Sequence, residues 1–197
     1  MNAAVTFVLD FSALTYRSLV AAVTPPYRLR DVIRQIDTVA VDSLLIIVFC
    51  VCAAAMVTIL EASFHMKLLI QNDSMVPGFA AMLILRELGA VVMALLVTSR
   101  SGAGMAAEVG TMQVTEQIDA IKMLGLEAVR FIVAPRLIGC AIAGAILSLF
   151  ANVICLLAAM GVSVIKLGYT AGTFSAMARP FISAQDLWFA VIKGTVF

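Results

Sequence analysis

Charge is what this sequence has least of. Only 13% of its 197 residues are Asp, Glu, Lys or Arg, against 63% hydrophobic residues and a mean hydropathy of +1.09. A chain so poor in charge cannot solvate the surface of a soluble globule of its size, and an integral membrane protein is implied. Cations and acids nearly cancel, 13 against 12, and no aromatic-basic interleaving is present, so nucleic acid is not expected as a partner. Histidine occurs once, at His65, and no metal site is expected there, with no cysteine or carboxylate noted at ligand spacing. The four cysteines, Cys50, Cys52, Cys140 and Cys155, all fall in apolar runs. They form neither a disulfide framework nor CxxC spacing, so a packing role is expected. GxxxxGK[ST] is missing, so nothing cradles nucleotide phosphates by that route. GxSxG and span-embedded aspartates are not found either, which argues against an intramembrane hydrolase. The first residues lack the basic start and clean apolar core of a cleaved signal, because Asp10 interrupts them.

What is present is long uncharged sequence. Ser43–Leu60 (18 residues) and Leu137–Ile165 (29 residues) are free of charge, and a crossing helix needs about 20 apolar residues. Leu88–Ser99 is shorter at 12 residues, but it continues backward through Arg86 and Glu87 to make a 26-residue segment, Ser74–Ser99, with an ionic pair near its middle. A fourth apolar stretch starts at Leu187 and covers about half a membrane by Phe197, so further chain is expected beyond it. Leu137–Ile165 exceeds one span and is expected to tilt, protrude or bend near Gly161. Small residues four apart, Gly139 with Ala143, Gly144 with Ser148, and Gly102, Ala106 and Gly110, predict close helix packing.

Two regions divide the chain: residues 1–42, an N-terminal interfacial region, and 43–197, the transmembrane domain. Pro25–Pro26 is expected to end any helix in the first 24 residues. From Arg28, the residues Leu29, Val32, Ile33, Ile36 and Ala40 fall on one helical face, with Arg28, Arg30, Asp31, Arg34 and Asp37 opposite. That pattern predicts an amphipathic helix lying in the membrane surface. Lys and Arg number four before the first span, one in a turn at 61–73, four in 100–136 and two in 166–186. The alternation puts the N-terminus and the 100–136 insert in the cytoplasm.

That insert is short, charged and helix-like. Thr115 is placed to cap a helix of about ten residues, roughly 15 Å and so half a crossing, with Glu116 in its first turn and Gly125 to stop it. Ile118, Ile121 and Leu124 share one face, while Glu116, Asp119 and Lys122 are polar. So short a helix needs a surface to pack on. Either it rests on the ends of the spans as a tidy loop, or it is a knob presented to another protein.

The run LRELGAVVMALLVTSRSGAGMAAEVGTMQVTEQIDAIKMLGLEAVRFIVAPR, Leu85–Arg136, resembles the signature region of the MlaE-type permeases, membrane subunits of ABC transporters that move lipids between bacterial membranes. The resemblance rests on RELG at Arg86–Gly89, Arg100 with its small residues, AEVGTM at Ala107–Met112, TEQIDAI at Thr115–Ile121, Gly125, and Pro135–Arg136. Ala90 and Ala128 stand where that family usually has proline, and straighter helix is expected there. The resemblance implies an all-α, polytopic membrane helical bundle forming a homodimer, with a short cytoplasmic coupling helix. Glu116, Gln117, Ile118, Asp119, Ile121, Leu124 and Gly125 would seat that helix on a separate ATPase, which holds the ATP and Mg; this chain itself binds no cofactor and is not an enzyme. Further implied partners are a subunit with an MCE domain, a small STAS-domain protein and phospholipid, at the inner membrane.

Arg86 and Glu87 stand at membrane depth, where a charge costs about 3 kcal/mol and must face protein, water or an opposite charge. Their helical neighbours one turn away are apolar, so partners come from other helices or from ligand. They form either a structural ion pair between helices or a polar spot on a headgroup path. Glu108 and Arg136 flank the insert and are expected to pair and brace it. The alternative class, an ion-coupled secondary transporter of a small amphiphile, needs charges in several spans, and Arg86/Glu87 is the one mid-span pair found.

Overall fold

The computed structural model describes residues 3–23, 29–69 and 75–196, and among them every regular element is helical. Four helical stretches are long and apolar enough to cross a membrane: Val5–Ala22, and then Leu29–Leu68, Val76–Val114 and Val129–Lys166, which hold the first, second and third spans read from the sequence. The chain is therefore an all-α polytopic membrane bundle. The proline pair at 25–26 and the start of the second span at Ser74 lie outside the described residues.

Helix α1 (Ala3–Val23) is exposed nearly all round, including Phe7, Val8, Phe11, Leu14 and Leu19. Among the described residues it packs on the stretch Val129–Lys166. The first region thus contains a helix with the length and apolarity of a span. Nor is the amphipathic stretch a separate element. It is the first third of α2 (Leu29–Leu69), one helix of 41 residues, about 62 Å long at 1.5 Å per residue. Of its proposed apolar face, Val32 is buried, whereas Leu29 and Ile33 point outward. The helix follows the packing stripe of the span that it leads into. The turn placed at 61–73 is likewise helix as far as Leu69. His65 therefore sits on α2 with its Nε2 3.4 Å from Glu61 Oε2, one turn earlier. That carboxylate is at ligand spacing after all, but among the described residues no third ligand joins the two.

The second span is a rod of 39 residues, Val76–Val114. It comprises α3 (Val76–Leu83), a π-turn at Ile84–Leu88, α4 (Gly89–Val97), a second π-turn at Thr98–Gly102 and α5 (Ala103–Val114). Helix α6 (Gln117–Met123) follows. A third π-turn, Val129–Val133, opens α7 (Ala134–Lys166), which passes Gly161 without interruption. The segment 166–186 holds α8 (Ala171–Ala178), started by a reciprocal cap between Thr170 and Thr173. It buries Phe174 and Ala178 as it folds back on α3. Helix α9 (Ala184–Val196) packs on α7 and α4.

Two ridges hold the bundle. On α2, Val39, Ser43, Ile47, Val51, Ala55, Ile59 and Ser63 are buried, each four residues after the last; on α7, Ala143, Leu147, Ala151, Cys155, Ala159 and Ser163 repeat the spacing. The helices run parallel, as first and third spans must. Cys155 Sγ reaches the Val51 carbonyl at 3.8 Å, and a Cβ on Gly139 would lie 2.8 Å from Gln35 Cβ. In lipid no hydrophobic drive separates helix from solvent, so small residues that let backbones approach supply the dispersion contacts. The second span runs antiparallel between them. Its Ser101 Oγ lies 3.4 Å from Ser43 Oγ, and the amide of Asn152 on α7 occupies the space that a Cβ on Gly89 would need.

Candidate functional site

Two features bring together the charged residues singled out in the sequence. The first is mid-span. Arg86 and Glu87 both fall in the first π-turn, whose looser winding narrows the angle between neighbouring side chains and strands a carbonyl. Both meet α9. Arg86 Nε donates to Asp186 Oδ1 at 2.7 Å, and Lys193 Nζ lies 3.0 Å from Glu87 Oε1 while also donating to the Arg86 carbonyl. Asp186 is almost wholly buried; its second oxygen accepts the Ser183 N–H at 2.9 Å. The partners of Arg86 and Glu87 thus come from another helix. Sequence reading passed over Asp186 and Lys193, although they stand seven residues apart, on one face of a helix, which is the signal that could have found them.

The second feature is the insert. It is smaller than its charge pattern indicated, because the second span continues as helix through α5 and only residues after Val114 leave it. Thr115 does not cap α6: its hydroxyl donates back to the Thr111 carbonyl at 2.8 Å, finishing α5. The turn is made instead by Glu116, whose φ of +56° is left-handed without being glycine, a strained state that concentrates at functional positions. At the other end Gly125, with φ +75°, closes α6 in a Schellman motif. Its N–H donates to Lys122 O at 2.9 Å and that of Leu126 to Ile121 O at 3.2 Å.

Within the described residues, α6 buries nothing. Ile118 and Ile121 are half-covered, while Leu124 lies past the last turn and is 76% exposed, with Met123 at 89% and Val114 at 84%. Gln117 is exposed, and Asp119 is tied to Lys122 at 2.8 Å. Ile118 and Ile121 are thus partly covered, while Val114, Met123 and Leu124 face outward. Beside the insert, Arg136 Nη2 and Glu108 Oε2 are 2.8 Å apart, joining the foot of α7 to α5.

Comparison with known proteins covers both features. The family profile described as Permease MlaE matches residues 32–197, well beyond the signature run. A probable ABC transporter permease of Rickettsia prowazekii is 28% identical over 187 residues, which is 95% of this chain and 72% of the relative. The intermembrane phospholipid transport system permease of Haemophilus influenzae is 30% identical over 166 residues, 84% of this chain and 63% of the relative. The chloroplastic protein TRIGALACTOSYLDIACYLGLYCEROL 1 of Arabidopsis thaliana is 31% identical over 120 residues, 61% of this chain and 34% of the relative.

Proposed function

This chain belongs to the MlaE permease family and is an ABC transporter permease, and from that premise we propose that it moves phospholipid between the inner membrane and a periplasmic carrier subunit of the MCE type. ATP and Mg are handled by a separate cytoplasmic ATPase, and the permease works as a homodimer, with a STAS-domain protein as a further partner. The N-terminus and α6 face the cytoplasm. The observation that carries this reading is the helix α6 and its flanks: seven residues pinned between a left-handed Glu116 and a left-handed Gly125, with Val114, Met123 and Leu124 exposed. Apolar side chains held at the tip of a rigid rod suit a groove in a second protein, and motion there would pass along α5 into the span that carries Arg86 and Glu87.

The mid-span charges fit the same reading. Each is paired within the bundle, as a structural lock between the second span and α9 requires, and each pair could exchange its partner for a lipid headgroup when α9 shifts. An ion-coupled transporter would work without ATP. The deciding experiment is purification of the chain from its native membranes, original and with Met123→Asp plus Leu124→Asp, with mass spectrometry of co-purifying proteins and ATP-dependent lipid transfer in proteoliposomes. An ATPase recovered with the original and lost with the variant, whose own fold is unchanged, supports the proposal. Lipid transfer at full rate without ATP would end it.

A further inference from the structure

A cleft of about 670 Å³ opens at the end of the bundle that carries α6, between the first turns of α2, the second π-turn with α5, and the foot of α7. Three arginines and three carboxylates line it: Arg34, Arg100 and Arg136 with Asp31, Asp42 and Glu108. Only Arg136 and Glu108 pair. Among the described residues no ion pair engages the other four, and Arg136 Nη1 is buried without an acceptor.

The depth of these groups is fixed by the sequence. Asp42 directly precedes the uncharged run Ser43–Leu60, Arg100 directly follows the apolar segment ending at Ser99, and Arg136 directly precedes Leu137–Ile165. All three walls therefore become charged at one level, where spans leave the hydrocarbon and lipid headgroups begin. A cationic pocket would call for a simple anion, and an acidic one for a cation. This cleft offers unpaired groups of both signs. Guanidinium groups bind phosphate oxygens through paired, charge-assisted N–H bonds, and carboxylates take an ammonium.

We infer that the cleft is a binding site for the phosphate–ammonium headgroup of a zwitterionic lipid, with Arg34 and Arg100 on the phosphate and Asp31 and Asp42 on the ammonium. It is separate from the Arg86–Asp186 lock, which lies deeper in the spans and is already paired. The inference rests on the membrane placement of the chain and not on its ATPase partner, so loss of headgroup binding and loss of ATPase co-purification are independent results.

The test titrates the detergent-solubilised chain with dihexanoyl phosphatidylethanolamine and dihexanoyl phosphatidylglycerol, read by native mass spectrometry. Glycerophosphoethanolamine and inorganic phosphate serve as soluble competitors. Arg34→Gln and Arg100→Gln, both at exposed side chains and with circular dichroism as the check on folding, are each expected to weaken the ethanolamine lipid at least tenfold. Arg30→Gln, the same charge loss on α2 but outside the cleft, should change it less than twofold. Asp31→Asn with Asp42→Asn should erase the preference for the ethanolamine over the glycerol lipid. Equal weakening by Arg30→Gln would reduce the effect to general charge attraction and overturn the site. So would unchanged binding in the cleft variants, or displacement of the lipid by inorganic phosphate as readily as by glycerophosphoethanolamine, which would mark a free-phosphate site.

Discussion

The rod Val76–Val114 is one run of helix, yet its two halves have opposite surroundings. Up to Val97 it contributes Val76, Ala80, Ala81, Ile84, Ala90 and Met93 to the core; from Ala103 onward it buries no residue. Composition alone does not separate them, since both halves are rich in small and apolar side chains. The difference is what stands opposite: α7 and α9 flank the first half, whereas beyond Gly102 the rod borders the cleft and meets the foot of α7 through side chains such as Glu108 on Arg136. A helix of 39 residues is about 58 Å long against roughly 30 Å of hydrocarbon, so its second half is built to protrude. The packed half is where substitution should damage folding, and the bare half is where it should damage activity alone.

The sharpest test of the packed half is Arg86→Met. It strands Asp186, whose side chain is 2% exposed, as an unpaired buried charge, and removal of one partner of a buried pair costs about 3–5 kcal/mol. Arg86 itself is half-exposed, which places the expected loss near the lower figure. Chemical unfolding in detergent should show it, and Asp186→Asn in the same chain should restore most of it. Glu87→Gln disrupts the neighbouring pair, but Glu87 is 64% exposed, and an exposed pair contributes at most about 1 kcal/mol. Equal effects at the two positions would mean that the pairs are not buried unequally as described.

Gly89→Ala comes next. The new methyl would collide with the Asn152 amide, and overpacking of this kind costs about 1–3 kcal/mol. Both amide atoms of Asn152 are buried without a hydrogen-bond partner, so Asn152→Ala should relieve the clash at little cost of its own. A double-mutant cycle by thermal unfolding measures the coupling, and additive effects would show that the two residues do not touch.

These two cases also show what was legible in the sequence. The long helices could be read from uncharged runs such as Ser43–Leu60, and close packing along α7 from Gly139 and Ala143 at helical spacing, but not that α2 is the helix they meet. The partners of Arg86 and Glu87 could not, because pairing across a hundred residues has no local periodicity and Asp186 looked like the edge of a loop. Helix α5 was half legible: Gly102, Ala106 and Gly110 at helical spacing predict a packed helix, but Arg100 and Glu108 assigned that stretch to the charged insert and not to the span before it. The turn at Glu116 is a left-handed non-glycine residue, which propensity argues against. The insert's outer limit, Gly125, was visible for the opposite reason: its positive φ suits glycine best.

At that limit, Gly125→Ala should cost about 1 kcal/mol through the left-handed backbone alone, because the added methyl has open space around it, with nothing within 4 Å. Stability should fall slightly, and ATP-driven lipid transfer should fall more if the end of α6 must hold its angle against a partner. Transfer and stability declining in proportion would assign Gly125 a folding role alone.

The smallest expected effect is at Gly110. A Cβ there meets nothing within 4 Å, and alanine is favoured over glycine in a helix by about 1 kcal/mol, so Gly110→Ala should leave the chain as stable or slightly more so. Gly102, Ala106 and Gly110 repeat every four residues like the ridge on α7, but no neighbour within the described residues fills their side of the rod. If transfer activity falls in Gly110→Ala while melting temperature holds or rises, the stripe touches a surface outside this chain, and the bare half of the rod meets partners at two places, one along α5 and one at α6. If activity is unchanged, the glycines only let the rod pass through crowded headgroups.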